Sequence, residues 1–140
     1  MIKYQKLPIN ILEYLPAAAA YLISHPKVIF SYLFGSLTQR KPAPLSDVDI
    51  AAYLKPDADI VECKLAILGK LIDIFQSDEI DLVVLNTAQL ALIMNVLKSK
   101  KVIVDKNPFA RHIFESLTMR KFFDFSIKES AILHRRYLNG

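Results

Sequence analysis

In the run GSLTQRKPAPLSDVDI, residues 35–50, a Gly-Ser pair is followed after ten residues by Asp47-Val48-Asp49. Side chains two apart in a strand leave the same face, so an extended run aims Asp47 and Asp49 at one place. Two such carboxylates repel each other and lose hydration on burial. A divalent cation removes both penalties, and hard oxygen ligands completed by water and substrate phosphates are the usual way of holding magnesium. A further carboxylate comes from EIDLVVLN, residues 79–86, where Ile80, Leu82 and Val84 share one face and Glu79 and Asp81 the other. Asp81 lies deeper in that segment than Glu79 and is the preferred candidate. With this strand beside 47–54, Asp47, Asp49 and Asp81 could hold two ions ~3.5–4 Å apart, clamping the attacking and leaving oxygens of a displacement at phosphorus. Gly35 and Ser36 are the complementary candidates for phosphate: glycine permits close approach, turn N–H groups point outward, and serine adds a hydroxyl. Singly these are a turn, a solvated edge and an exposed strand residue. Their order and phase together carry the chemistry.

The positioning elements follow from periodicity. KVIFSYLF (27–34) is a short β-branched and aromatic run ended by Gly35, and DVDIAAYL (47–54) is a second strand with mixed faces. A helix starting after Pro56, Asp57 and Asp59 is expected to turn Val61, Leu65, Leu68, Ile72 and Phe75 inward. The strand at 79–86 leads to a helix in AQLALIMNVLKSK, with Thr87 as the expected cap and Lys98 and Lys100 in its last turn. KVIVD (101–105) is a fourth strand. Asn107 then caps a helix with Pro108 at its first position, running nearly to the end with a bend near Ser126. Residues ahead of His25 form a first helix. The fold class is α/β (α+β): a small mixed sheet flanked by helices over residues 1–105, with a C-terminal helical extension, 106–140, packed on the same domain.

Composition narrows the function class. With 140 residues and 53% hydrophobic content the chain has material for one real core. A single cysteine, Cys63, rules out an internal disulfide and points to a buried thiol in the cytoplasm. LPAAAAYLI is too short to span a membrane, and the N-terminus lacks a secretory pattern. Charge is uneven: residues 98–140 hold ten basic residues against four acidic ones. His25, His112 and His134 lack metal-ligand spacing, and Arg40 and Lys41 read as solvated loop cations. Nucleic-acid binding through the basic tail ranks behind the other readings, and a steep salt dependence would mark it.

The Gly-Ser, ten-residue, Asp-x-Asp pattern resembles that of the DNA polymerase β-like nucleotidyltransferases, with Asp81 at the third carboxylate. The resemblance covers roughly residues 10–105, and RKFFDF (120–125) looks like the aromatic-Asp-Phe helix that often closes the minimal members of that superfamily. Many minimal nucleotidyltransferases are antitoxins paired with HEPN-domain ribonuclease toxins. The resemblance implies transfer of AMP from ATP, with two Mg2+ ions, to a tyrosine hydroxyl of a cognate HEPN toxin held in a hetero-oligomer. Gly35 and Ser36 would hold the triphosphate; Asp47 and Asp49 would ligate both metals; Asp81 would ligate the catalytic metal and help deprotonate the acceptor. The alternatives are an antitoxin that acts by binding alone and transfer to a small-molecule hydroxyl. On the last helix Phe109, Ile113, Phe114 and Leu117 are expected to face the core. The later apolar residues, Phe122, Phe123, Phe125, Ile127, Ile132, Leu133 and Tyr137, interleave with Arg and Lys as partner surfaces do.

Overall fold

The computed structural model describes residues 11–38 and 48–138. A 3-10 turn, Ile11–Tyr14, leads into α1 (Leu15–Ser24), followed by β1 (Val28–Phe34), a second 3-10 turn (Gly35–Thr38), β2 (Val48–Leu54), α2 (Ile60–Phe75), β3 (Ile80–Val84), α3 (Leu90–Ser99), β4 (Lys101–Asp105) and α4 (Pro108–Leu138). Among the described residues the strands form one mixed sheet in the order β3-β2-β1-β4. β1 is antiparallel to β2 and β4, while β2 and β3 run parallel, with α2 as their crossover.

Alternation along the strands splits the core into two layers. Val48, Ile50, Ala52 and Leu54 of β2 and Leu82 and Val84 of β3 face Leu22 of α1 and Ile67, Leu71 and Phe75 of α2. Phe30, Tyr32, Phe34, Ala51, Val83 and Leu85 face Ile93 and Val96 of α3, with Phe114 of α4 packed on them. Each fully buried large side chain is worth about 1.5–3 kcal/mol, so both faces of this sheet are committed to packing. Phe30 stacks on Tyr53 with centroids 4.8 Å apart, and Phe114 closes on both rings.

Side chains finish what the ladders start. The Asn86 amide donates to Leu54 O at 2.8 Å and accepts from Leu54 N at 2.9 Å, copying one rung of sheet where β3 has ended. Ser31, buried in β1, donates to Ala51 O at 2.7 Å. Asp59 caps α2 through Glu62 N, and Asn107 caps α4 through Ala110 N.

Several expectations shift. On α2, Val61 and Leu65 point to solvent, and the buried stripe is Ile67, Leu71 and Phe75 with Cys63 beside it. α3 begins two residues later than a Thr87 cap would set it, with Gln89 as the N-cap and no side-chain capping bond. α4 is one helix through Ser126. Phe109, Ile113 and Leu117 are exposed and line a groove of about 630 Å3 between α3 and α4, whose floor is Tyr53, Leu85 and Ile93. From Met119 to Arg135 every residue of α4 is exposed, Tyr137 lying beyond the described side chains. Among the described residues no helix is long and apolar enough to cross a membrane.

Candidate active site

β1 delivers the chain to its turn beside β2: Phe34, its last residue, is the register partner of Asp49. There Gly35 takes φ +77°, a left-handed conformation that costs other residues strain. Space demands glycine as well, since a Cβ at position 35 would overlap Asp49 Oδ2. The turn is closed by Thr38 Oγ1, which donates to Gly35 O at 2.7 Å, and moored by Gly35 N–H, which donates to Ser99 Oγ at 2.9 Å.

The parallel pairing of β2 with β3 sets Asp49 directly against Asp81. Adjacent strands lie ~4.8 Å apart and register partners share a face, so the two carboxyls leave the sheet as neighbours. They continue the Ala51 and Val83 pair toward the end of the α3 layer, whose last residue, Ser99, reaches Gly35. Asp49 is half-buried and Asp81 exposed. Like charges on adjacent strands destabilise a sheet, and the pair stands where a hard cation could be reached by oxygens from both strands.

Gly35, Asp49 and Asp81 are therefore brought together. Asp47 and the Ser36 side chain lie outside the described residues, as do Arg40 and Lys41. Among the described residues no group of three or more His, Cys, Asp or Glu side chains gathers for a metal, a set that does not include Asp47. Glu79, the alternative to Asp81, precedes β3; its N–H is bonded to Ser77 Oγ, its carbonyl accepts from Val48 N at 3.0 Å, and its Oε2 is buried with no hydrogen-bond partner.

Sequence reading missed two features. Ser99 is one, an ordinary helix-terminal serine until α3 is seen to end against Gly35. The other is a polar cluster on the α4 side of the sheet. Tyr32 OH donates to Glu115 at 2.6 Å, Lys100 Nζ pairs with Glu115 at 2.8 Å, and Arg111 bridges Glu115 and Asp105. Burial, and then the bond to Glu115, push the Tyr32 hydroxyl far above its ordinary range. Burial alone would raise the Glu115 carboxyl, but hydrogen bonds from Lys100, Tyr32 and Arg111 outweigh it and hold the group below the usual value. The i,i+4 spacing of Arg111 and Glu115 was the available signal.

The family model described as Polymerase beta, Nucleotidyltransferase matches residues 17–109. No protein of curated function matches the chain in sequence. Among solved structures, a toxin–antitoxin MntA–HpeT mutant superposes with TM-score 0.65 at 25% identity, covering 91% of this chain and 95% of its own. A toxin–antitoxin structure with AMP-PNP gives 0.66 at 24%, covering 91% and 97%. A tri-AMPylated HEPN toxin in complex with MNT antitoxin, from Shewanella oneidensis, gives 0.64 at 22%, covering 88% and 98%. The likeness to these structures is one of fold.

Proposed function

The chain belongs to the polymerase β nucleotidyltransferase family, and on that premise we propose that it is an antitoxin that transfers AMP from ATP to a tyrosine hydroxyl of a cognate HEPN ribonuclease toxin. The observation that carries this reading is the register pairing of Asp49 with Asp81 beside Gly35. The fold likeness to toxin–antitoxin structures, one with AMP-PNP and one with an AMPylated toxin, supports the choice of donor, acceptor and partner.

The donor set fits magnesium: two hard carboxylates at one register level, with a glycine leaving room at Asp49 Oδ2. Asp47, Asp49 and Asp81 would hold two ions, which when bound neutralise triphosphate charge. Gly35 and Ser36 seat the triphosphate. Gly35 N–H is already given to Ser99 and the space of its missing Cβ is taken by Asp49 Oδ2, so its contribution is to let that carboxylate lie against the turn, and the donor is Ser36. The acceptor oxygen attacks the α-phosphorus of ATP; its new O–P bond forms as the bond from that phosphorus to the bridging oxygen breaks, and pyrophosphate leaves with the electron pair. Asp81, the more exposed carboxylate of the pair, helps take the hydroxyl proton. Positioning and charge stabilisation account for such a transfer without a covalent enzyme intermediate. The free Cys63 thiol suits the cytoplasm, where ATP and a ribonuclease toxin would meet the protein.

A second reading, neutralisation by occlusion, is favoured by one observation, the run of exposed apolar residues on α4. Co-expression with the HEPN protein, followed by intact mass measurement, separates them. AMP-sized increments on the toxin that vanish with the Asp47→Asn/Asp49→Asn double variant support the enzyme. Toxicity suppressed equally by that variant, with no adduct at any time, overturns it in favour of occlusion.

A further inference from the structure

Ser99 has no part in the chemistry above, yet it touches the site's most constrained residue. Its Oγ accepts from Gly35 N–H at 2.9 Å. Gly35 is the position where the chain turns left-handed and where Asp49 Oδ2 occupies the space of a missing Cβ. Ser99 is also rigidly placed. It ends α3, whose Ile93 and Val96 are buried in the sheet layer. The next residue, Lys100, is tied to Glu115 at 2.8 Å, and Lys101, one further on, is paired with Leu33 of β1. A hydroxyl fixed from both sides thus holds the amide of a residue whose conformation would otherwise be among the freest in the chain.

We infer that Ser99 is a positioning residue of the nucleotide seat: by holding Gly35 N–H it fixes the Gly35–Ser36 turn against Asp49. The inference rests on the nucleotidyltransferase reading for its kinetic consequence, but the hydrogen bond itself can be tested without it. Free to rotate, the turn would sample conformations in which the phosphate seat and the carboxylate pair are out of step, and nucleotide binding would carry the cost of reordering it. That cost falls alike on the bound ground state and the transition state, so it belongs in KM more than in kcat.

The experiment compares wild type, Ser99→Ala and Ser99→Thr as full-length chains. Alanine is a better helix former than serine, so α3 survives the change, and threonine keeps the hydroxyl. Amide hydrogen exchange by NMR is expected to show the Gly35 N–H exchanging about tenfold faster in Ser99→Ala, with neighbouring β1 amides and the Ser99→Thr variant close to wild type. With Mg-ATP and the purified toxin, Ser99→Ala should raise the ATP KM about fivefold, the worth of one hydrogen bond, with kcat within about twofold and Ser99→Thr restoring KM. Unchanged Gly35 exchange in Ser99→Ala overturns the inference, as does a lowered melting temperature with KM untouched, which would make Ser99 a folding residue only. If wild type transfers no nucleotide the activity reading fails by itself, and the exchange result still decides whether Ser99 holds the turn.

Discussion

Two clusters of carboxylates stand on this sheet, and they are built on opposite rules. Between β1, β4 and α4, Asp105 and Glu115 are interleaved with Arg111 and Lys100, and Tyr32 OH donates a hydrogen bond to the same Glu115. Opposite charges alternate there, although Asp105 Oδ1 is left buried without a hydrogen-bond partner. At the open end of β2 and β3, Asp49 and Asp81 stand at the same register level, like beside like. A folding argument accounts for the first arrangement. The second is the arrangement on which the proposed metal site rests. Perturbed ionisation alone would point away from that pair, because the hydroxyl pushed far from its ordinary range is that of Tyr32, in the first cluster.

The contrast can be broken at either end. The largest effect is expected from Asp81→Asn, which should slow AMP transfer by ~10³-fold while leaving thermal stability within about 0.5 kcal/mol, since Asp81 is exposed and the change relieves a like-charge contact. A large fall in melting temperature with activity retained would assign Asp81 to structure. Glu115→Gln should do the reverse, costing about 2–3 kcal/mol because Arg111 and Lys100 lose their shared partner, with turnover kept at temperatures where the protein stays folded. Its pH signature follows from sign. The folded carboxyl sits below its unfolded value, so its contribution is complete above about pH 4.3 and is lost as the pH falls through the folded value. Melting curves from neutral pH down to about pH 3 should therefore converge for wild type and Glu115→Gln; parallel curves would show that Glu115 is not the group responsible. The smallest effect belongs to Phe123→Ser on the far part of α4, within about 0.5 kcal/mol on the isolated protein, with its consequence confined to toxin affinity measured by titration calorimetry.

The strands and their faces were legible in the sequence because period-two alternation is unambiguous where both faces pack. Ile80, Leu82 and Val84 against Asp81 and Val83 could be sorted by eye, and Asp49 was put on the correct side by the same rule. α2 was not legible in phase. Apolar residues occupy eleven of the sixteen positions from Ile60 to Phe75, so the stripe through Val61 and Leu65 and the stripe through Ile67 and Leu71 are both helical, and only docking on the sheet chooses between them. α4 misled in its first turns: Phe109, Ile113 and Leu117 were expected on the core beside Phe114, but they are exposed and only Phe114 packs there, whereas the aromatics from Phe122 on are exposed as the surface reading had them. The Ser99–Gly35 bond and the Tyr32–Glu115 bond join residues far apart in sequence, and no spacing announces them.

The parallel register of β2 and β3 has a consequence for how the site comes into being. Side chains alternate, so a slip of β3 by a single residue would carry Asp81 into the layer occupied by Leu22 and Leu71 and turn Leu82 out to water. No partly correct pairing keeps the carboxylates together. They are joined through the α2 crossover, so their meeting depends on the non-local pairing of β2 with β3. The proposed site is therefore a property of the correctly registered sheet and has no counterpart in a slipped one.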